Sequence, residues 1–161
     1  MYVDHHGVPG AGQALDALAR AGIKMVFVTN NSTKTRRDVL DHIALRTGYR
    51  GPADVITSGM ATARQLAGQV DRVLVVGGTG LSATLVEHGV QVVTDWRQAE
   101  AVAVGLDREV SYEKLAVATL ALRNGAAFYA TNTDATYPMP DGLYPGAGAF
   151  SAFLERSSGR D

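Results

Sequence analysis

Six short apolar runs alternate with helical patterns along the chain. They are MVFV (25–28), DVIT (54–57), RVLVV (72–76), QVV (91–93), AVAVG (101–105) and AAFYA (126–130). None alternates cleanly with polar residues. Runs of this kind suit strands buried on both faces of a mainly parallel sheet, because neither face is left for water. Between them lie amphipathic patterns. Ala11, Ala14, Leu15, Leu18 and Ala19 line one helical face, Val39, Leu40, Ile43 and Ala44 a second, Leu81 and Leu85 a third, and Leu115, Ala118 and Leu122 a fourth. Gly22, Gly48, Gly68, Gly89 and Gly125 each stand just past such a pattern, where a left-handed stop suits a residue without Cβ. Ser111 is placed as an N-cap, with Glu113 in the first turn. The order of elements predicts an α/β fold.

Composition narrows the function classes. The chain has 161 residues, 46% of them hydrophobic, which is enough for a real core. Its formal net charge is −1, so no basic footprint for nucleic acid or for a membrane surface is present. It has no cysteine, which removes disulfides, thiolate catalysis and Cys-zinc sites. No apolar run approaches the roughly 18 residues of a membrane span. The segment MYVDHHGVPG lacks the pattern of a signal peptide. The expectation is a cytoplasmic protein without nucleic-acid or membrane partners.

Four stretches are candidates for chemistry. FVTNNSTKTR (27–36) reads as a buried strand ending on Thr29, Asn30, Asn31 and Ser32, with a helix beginning at about Thr33. Small polar side chains at the end of a parallel strand sit where α/β folds bind ligands, and a helix N-terminus offers N–H groups to an anion. Lys34, Arg36 and Arg37 add positive charge; the plainer reading is a strand-to-helix turn with Ser32 as N-cap. Asp4-His5-His6 resembles the metal-binding signature of the DHH phosphoesterases without its upstream aspartates, and a solvated turn is the expectation. ATNTDATYP (130–138) crowds Asn132, Asp134, Thr136 and Tyr137 into one loop, which then runs through the Pro- and Gly-rich stretch 136–150 to a final helix at 147–156. Last, VLVVGGTGLSA (73–83) fits the dinucleotide fingerprint G-x-G-x-x-G/A, with the acid Asp95 seventeen residues after Gly78, somewhat short of the usual spacing of about 20.

Taken together, the segments VTNNS, TSGMATA, VGLDRE…YEKL, RNGAAFYATNTD and YPGAGA, in this order, resemble the haloacid-dehalogenase-like (HAD) phosphatases with an α/β cap. This is the branch of 4-nitrophenylphosphatases, phosphoglycolate phosphatases and pyridoxal-phosphate phosphatases. The resemblance implies hydrolysis of small phosphorylated metabolites through an aspartyl-phosphate, with Mg²⁺. It also implies roles for particular residues. Thr29 matches the hydroxyl that positions the phosphoryl group, and Asn30 and Asn31 match the residues beside it. The loop 132–142, with Asn132, Asp134 and Tyr137, matches the cap's substrate-specificity loop. Tyr144-Pro145-Gly146-Ala147-Gly148 matches the hinge returning to the core.

The chain departs from the family pattern in having no D-x-D motif, no G-K-P lysine and no G-D-x-x-x-T-D metal motif. The expectation drawn from this is a fragment: α/β, with a partial Rossmann-like HAD core whose parallel sheet is incomplete and an inserted α/β cap. Its expected parts are core 1–58, cap 59–143, and return hinge with the first helix of the remaining core 144–161. Such a chain is expected to lack nucleophile and metal ligands and to show no turnover. Val26, Phe27 and Ile56 are expected to have an exposed side, and a homodimer is expected through the cap or through this exposed core edge. The competing expectations are a non-catalytic binding module on the same fold and a dinucleotide-binding oxidoreductase.

Overall fold

The structure is a computed structural model that describes residues 2–3 and 6–160. Asp4 and His5, and with them the turn expected at Asp4-His5-His6, lie outside the described residues. The chain forms two compact units, one of residues 1–29 and 36–56 and the other of residues 30–35 and 57–161.

The first unit contains β1 (Tyr2–Val3), β2 (His6–Gly7), α1 (Ala11–Arg20), β3 (Val26–Thr29), α2 (Arg36–Thr47) and β4 (Asp54–Thr57), whose last residue opens the second unit. The strands β1 and β2 pair antiparallel, and β3 pairs with β4. The apolar face expected of each helix meets the others here. Leu15 from α1, Val39 and Ile43 from α2, Tyr49 and Val55 form the core, with Phe27 and Met25 against it. The Tyr49 hydroxyl, carried into this core, donates to the Pro52 carbonyl at 3.0 Å. Phe27 therefore turns inward, while Val26 and Ile56 stand 53% and 38% exposed.

The second unit contains α3 (Ser58–Leu66), β5 (Arg72–Val76), α4 (Thr79–Glu87), β6 (Gln91–Val93), β7 (Ala101–Val104), α5 (Tyr112–Arg123), β8 (Ala127–Ala130), β9 (Thr136–Met139), β10 (Gly142–Pro145) and α6 (Ala147–Ser158). Its parallel sheet has the order β6-β5-β7-β8. Side chains leave alternate faces of a strand. Leu74, Val76, Val102 and Val104 accordingly meet Ala118, Ala121 and Leu122 of α5 and Leu154 of α6. Val73, Ala101 and Ala103 meet Ala63 and Leu66 of α3 and Leu81 and Leu85 of α4. Helices on both faces explain why the strands read as unbroken apolar runs. The five glycine stops all take positive φ, from 73° at Gly22 to 100° at Gly125.

The four-stranded sheet of the second unit is complete in itself: each strand is hydrogen-bonded in register, every residue of β7 is fully buried, and both faces are packed. One expectation is corrected here. The stretch 136–150 is not one long loop. A hairpin of β9 and β10 turns over Pro140 and Asp141, with Tyr137 opposite Tyr144. Asp-Gly at the end of a short turn is a hairpin signal, and Pro138 and Pro145 are tolerated because the ribbon has only two strands.

Glu100 fastens the start of this sheet. Its carboxylate accepts from the Asp71 N–H at 2.8 Å and from Arg72 Nε and Nη2 at 3.1 and 2.7 Å, just before β7 begins. The Asp71 N–H first, then the Arg72 side chain, hold the Glu100 carboxyl below its usual range. A carboxyl lowered on folding stabilises the fold above its unfolded pKa, and that contribution is lost as pH falls through the folded value. Glu100→Gln is therefore expected to lower the melting temperature at neutral pH. The gap to the parent should close as the solution is acidified through that range; a gap that stays constant with pH would refute it.

Candidate functional site

The C-terminal ends of β5, β7 and β8 lie on one edge of the parallel sheet, since the strands run the same way. After β5 the chain passes to β6 on one side, and then returns to β7 on the other. The crevice at such a reversal, outside the strand ends, is where open α/β sheets bind ligands. Here the loops bordering it are 77–79, 105–111 and 131–135. The Gly78 N–H bonds the Leu106 carbonyl across it at 3.2 Å.

The segment 30–35 is seated on this edge. Ser32 is buried, 2% exposed, and its Oγ accepts from Thr131 Oγ1 at 3.3 Å. The Asn30 carbonyl accepts from Ser58 Oγ at 2.6 Å, at the start of α3, and from Asn132 Nδ2 at 3.2 Å. Asn30 Nδ2 donates to Asp134 Oδ2. Asn31 Oδ1 accepts from both the backbone N–H and the hydroxyl of Thr33 at 2.8 Å. That side-chain turn corrects the helix expected from Thr33. The residues 30–35 are irregular because Asn31 offers Thr33 a local partner, and α2 starts only at Arg36. Of the cations expected nearby, Arg36 is ion-paired with Asp54 at 2.6 Å and Arg37 lies 3.9 Å from Asp41, both within the first unit.

Between these loops lies a cavity of about 220 Å³. Asn30, Asn31, Ser32, Thr33, Arg108, Asn132, Asp134 and Tyr137 line it, with Leu106, Gly146 and Ala147. Five of the six residues predicted from the sequence, Asn30, Asn31, Asn132, Asp134 and Tyr137, are thus brought together. Thr29, the sixth, ends β3 in the first unit. Residues not predicted are Ser32 as a buried strut, Ser58, Thr131 and Arg108. The signal for Arg108 was available, since it follows an apolar strand by a few residues on the ligand-binding edge. The Asn132 Oδ1 accepts from the Asp134 N–H at 3.1 Å, which shapes the loop. Tyr144 donates to Asp141 Oδ2 at 2.8 Å, and that hydrogen bond first of all holds its phenol above the usual range.

Glycines make room for this seating. A Cβ on Gly80 would stand 2.3 Å from the Thr33 carbonyl oxygen, and one on Gly105 would stand 2.5 Å from Ser32 Oγ. The glycine fingerprint therefore accommodates backbone and not a dinucleotide, and Asp95, the acid of that pattern, accepts from the Arg97 N–H in an exposed loop at 3.0 Å.

A polar cavity at the strand ends of a parallel α/β sheet marks an α/β protein of the ligand-binding, doubly wound type. Comparison with known proteins carries this further. Residues 1–91 match the model of the haloacid dehalogenase-like hydrolases, and the chain belongs to that family. It is 40% identical to an acid sugar phosphatase of Staphylococcus aureus, over 99% of this chain and 62% of the relative. It superposes on a hypothetical protein of Pyrococcus horikoshii with a TM-score of 0.91 at 37% identity, covering 99% of this chain and 65% of the other. A glycerol phosphate phosphatase of Mycobacterium tuberculosis, in complex with magnesium, gives 0.88 at 34% identity, covering 99% and 49%. The chain spans about 62% of the length of the curated relative.

These matches overturn three readings. A fragment stripped of its catalytic motifs, an incomplete Rossmann-like core and an inactive chain were expected. What the matches support is a well-formed HAD-like phosphatase fold with core and cap, followed over 99% of the chain. Asp54 and Ser58 are among the polar residues it carries in place, the first ion-paired and the second hydrogen-bonded. Family membership implies Mg²⁺. Among the described residues no group of three or more His, Asp or Glu side chains is placed to hold a metal ion, so on their own they do not fit it. No helix among them is long and apolar enough to cross a membrane.

The seating makes a test. Alanine is favoured over glycine inside a helix by about 1 kcal/mol, whereas overpacking costs about 1–3 kcal/mol. Gly80→Ala in α4 is expected to lose up to about 2 kcal/mol of stability in denaturant unfolding, with shifted amide resonances for residues 31–34. A net gain in stability would show that Thr33 is not seated there.

Proposed function

We propose that the protein is a phosphoric monoester hydrolase acting on small phosphorylated metabolites, and that it uses Mg²⁺ without a preformed cluster of three acidic or His ligands among the described residues. The observation that carries this reading is the cavity itself, a polar crevice of about 220 Å³ at the strand ends of a phosphatase-like fold. Drug-sized ligands occupy about 300–1,000 Å³, so the volume favours a triose- or small sugar-sized leaving group over a nucleotide. Phosphoryl transfer asks mainly for positioning and charge stabilisation. In this reading Thr29 supplies a hydroxyl to a phosphoryl oxygen. The amides of Asn30 and Asn31 hold the ester, and Asn132, Asp134 and Tyr137 face the leaving group. We further propose the segment 1–58 as core, 59–143 as the cap and 144–161 as the return hinge and first helix of the remaining core. The acid sugar and glycerol phosphate activities of the relatives are consistent with this substrate size.

Phosphate release from 4-nitrophenyl phosphate, glycerol 3-phosphate and a set of hexose phosphates, with Mg²⁺ and with EDTA, tests the proposal. Turnover dependent on Mg²⁺ is expected. Asn132→Ala, which removes hydrogen bonds worth about 0.5–1.5 kcal/mol each, is expected to raise KM up to about tenfold. No Mg²⁺-dependent turnover on any of these esters would overturn it.

A further inference from the structure

Asp107 carries a carboxylate taken out of water, with its side chain 3% exposed. Burying a charge is tolerated when it is paired and hydrogen-bonded. Both oxygens of Asp107 are engaged. Oδ2 accepts from Lys114 Nζ at 2.6 Å, and Oδ1 accepts from the Glu109 N–H at 2.9 Å. The first partner stands in the opening turn of α5, the second in the loop before it. Helix chemistry does not account for the lysine. Ser111 caps α5 by accepting from the Lys114 N–H at 3.2 Å, which puts Lys114 in the first turn, where the positive end of the helix dipole disfavours a cation. The Asp107 carboxylate offsets that.

The near side of the 105–111 loop is fastened by backbone. The Gly105 N–H donates to the Val76 carbonyl at 2.8 Å, and the Leu106 carbonyl accepts from the Gly78 N–H at 3.2 Å. These bonds carry the pairing of β5 and β7 one step past the strands. From Asp107 onward the hold passes to side chains, the Asp107 carboxylate and the Ser111 cap. Leu106 and Arg108, on either side of Asp107, line the polar cavity, and the Arg108 guanidinium carbon lies 5.4 Å from the centre of the Tyr137 ring. We infer that Asp107 is a positioning residue: clamped between Lys114 and the Glu109 N–H, its carboxylate fixes the 105–111 loop and so holds Leu106 and Arg108 in the cavity wall. This rests on the phosphatase reading for its ligand and on the loop's own geometry for the rest.

Comparison of the parent with Lys114→Met, Lys114→Arg and the double variant Asp107→Leu with Lys114→Met separates positioning from plain stabilisation. Amide exchange and amide shifts are read by NMR, and KM and kcat with 4-nitrophenyl phosphate. A hydrogen-bonded charge contributes on the order of 10–150-fold, so Lys114→Met is expected to speed exchange at the Glu109 amide by at least about tenfold. It should also shift the Leu106 and Arg108 amides and raise KM several-fold, with kcat within about twofold. Lys114→Arg should restore most of each. Replacing a buried ion pair by apolar residues commonly leaves stability intact. The double variant is therefore expected to melt close to the parent and still show the shifted loop and the raised KM. A double variant that melts like the parent with the parent's KM and loop shifts would reduce the pair to a stabilising contact and overturn the inference, as would parent values in Lys114→Met. Should the double variant melt well below the parent, Lys114→Arg decides: recovered KM and loop shifts uphold the inference, unrecovered ones overturn it. A parent that turns over no ester would count against the phosphatase reading alone, and the Leu106 and Arg108 amide shifts would then decide the role of Asp107.

Discussion

The arrangement of the second unit depends on one steric allowance: polar backbone can lie directly against the C-terminal edge of the parallel sheet because Gly80 and Gly105 have no Cβ. A methyl group at either would stand 2.5 Å or less from an atom of Ser32 or Thr33, nearer than a Cβ atom packs against any neighbour. With that space open, Ser32 is taken out of water, which is tolerable only because its hydroxyl meets Thr131. Asn30 is then set where Ser58 and Asn132 bond its carbonyl and Asp134 accepts from its amide. The polar cavity is the space left over by this seating.

The same device recurs on the opposite wall. Gly146 and Gly148 approach the carbonyl oxygens of Asp134 and Thr133 so closely that a Cβ on either would stand 2.3 Å away. Their N–H groups reach back to Ala135 and Asp134 at 2.8 and 2.9 Å. The start of α6 therefore holds the 132–135 loop by its backbone, leaving the side chains of Asn132 and Asp134 to serve the cavity. Because α6 is itself anchored through Leu154 between the sheet and α5, the loop's position is inherited from the apolar core and not from its own exposed residues. Loops that function on a rigid scaffold are built in this way.

Much of this was legible in the residues. The apolar runs lacking alternation form strands covered on both faces, and the glycines past each helical pattern sit in the left-handed region. Five of the six residues singled out line one cavity, because polar side chains that follow strands of a parallel fold are gathered at the same sheet edge. The remainder was illegible for physical reasons. The start of α2 was misplaced because Asn31, two residues after β3, folds the backbone onto its own side chain, and spacing does not reveal that competition. The hairpin was read as a loop because three prolines obscured the alternation of β9 and β10, although Asp141-Gly142 marked its turn. The reading of an incomplete core weighed the motifs that were missing above the fold of the segments that were present, which superpose over 99% of the chain on a related structure.

The glycine fingerprint shows how one spacing can serve two ends. In a dinucleotide site the glycines let a pyrophosphate approach the N-terminus of the following helix. In this chain the same helix start, at Gly78 to Gly80, is approached by the Thr33 carbonyl. A carbonyl oxygen carries partial negative charge, so a helix N-terminus favours it for the same reason that it favours a phosphate, though more weakly. Once that oxygen is seated, a pyrophosphate could enter only by expelling the segment that carries Asn30 and Asn31. The position that the motif reserves for a ligand in one fold is filled in this one by the chain itself.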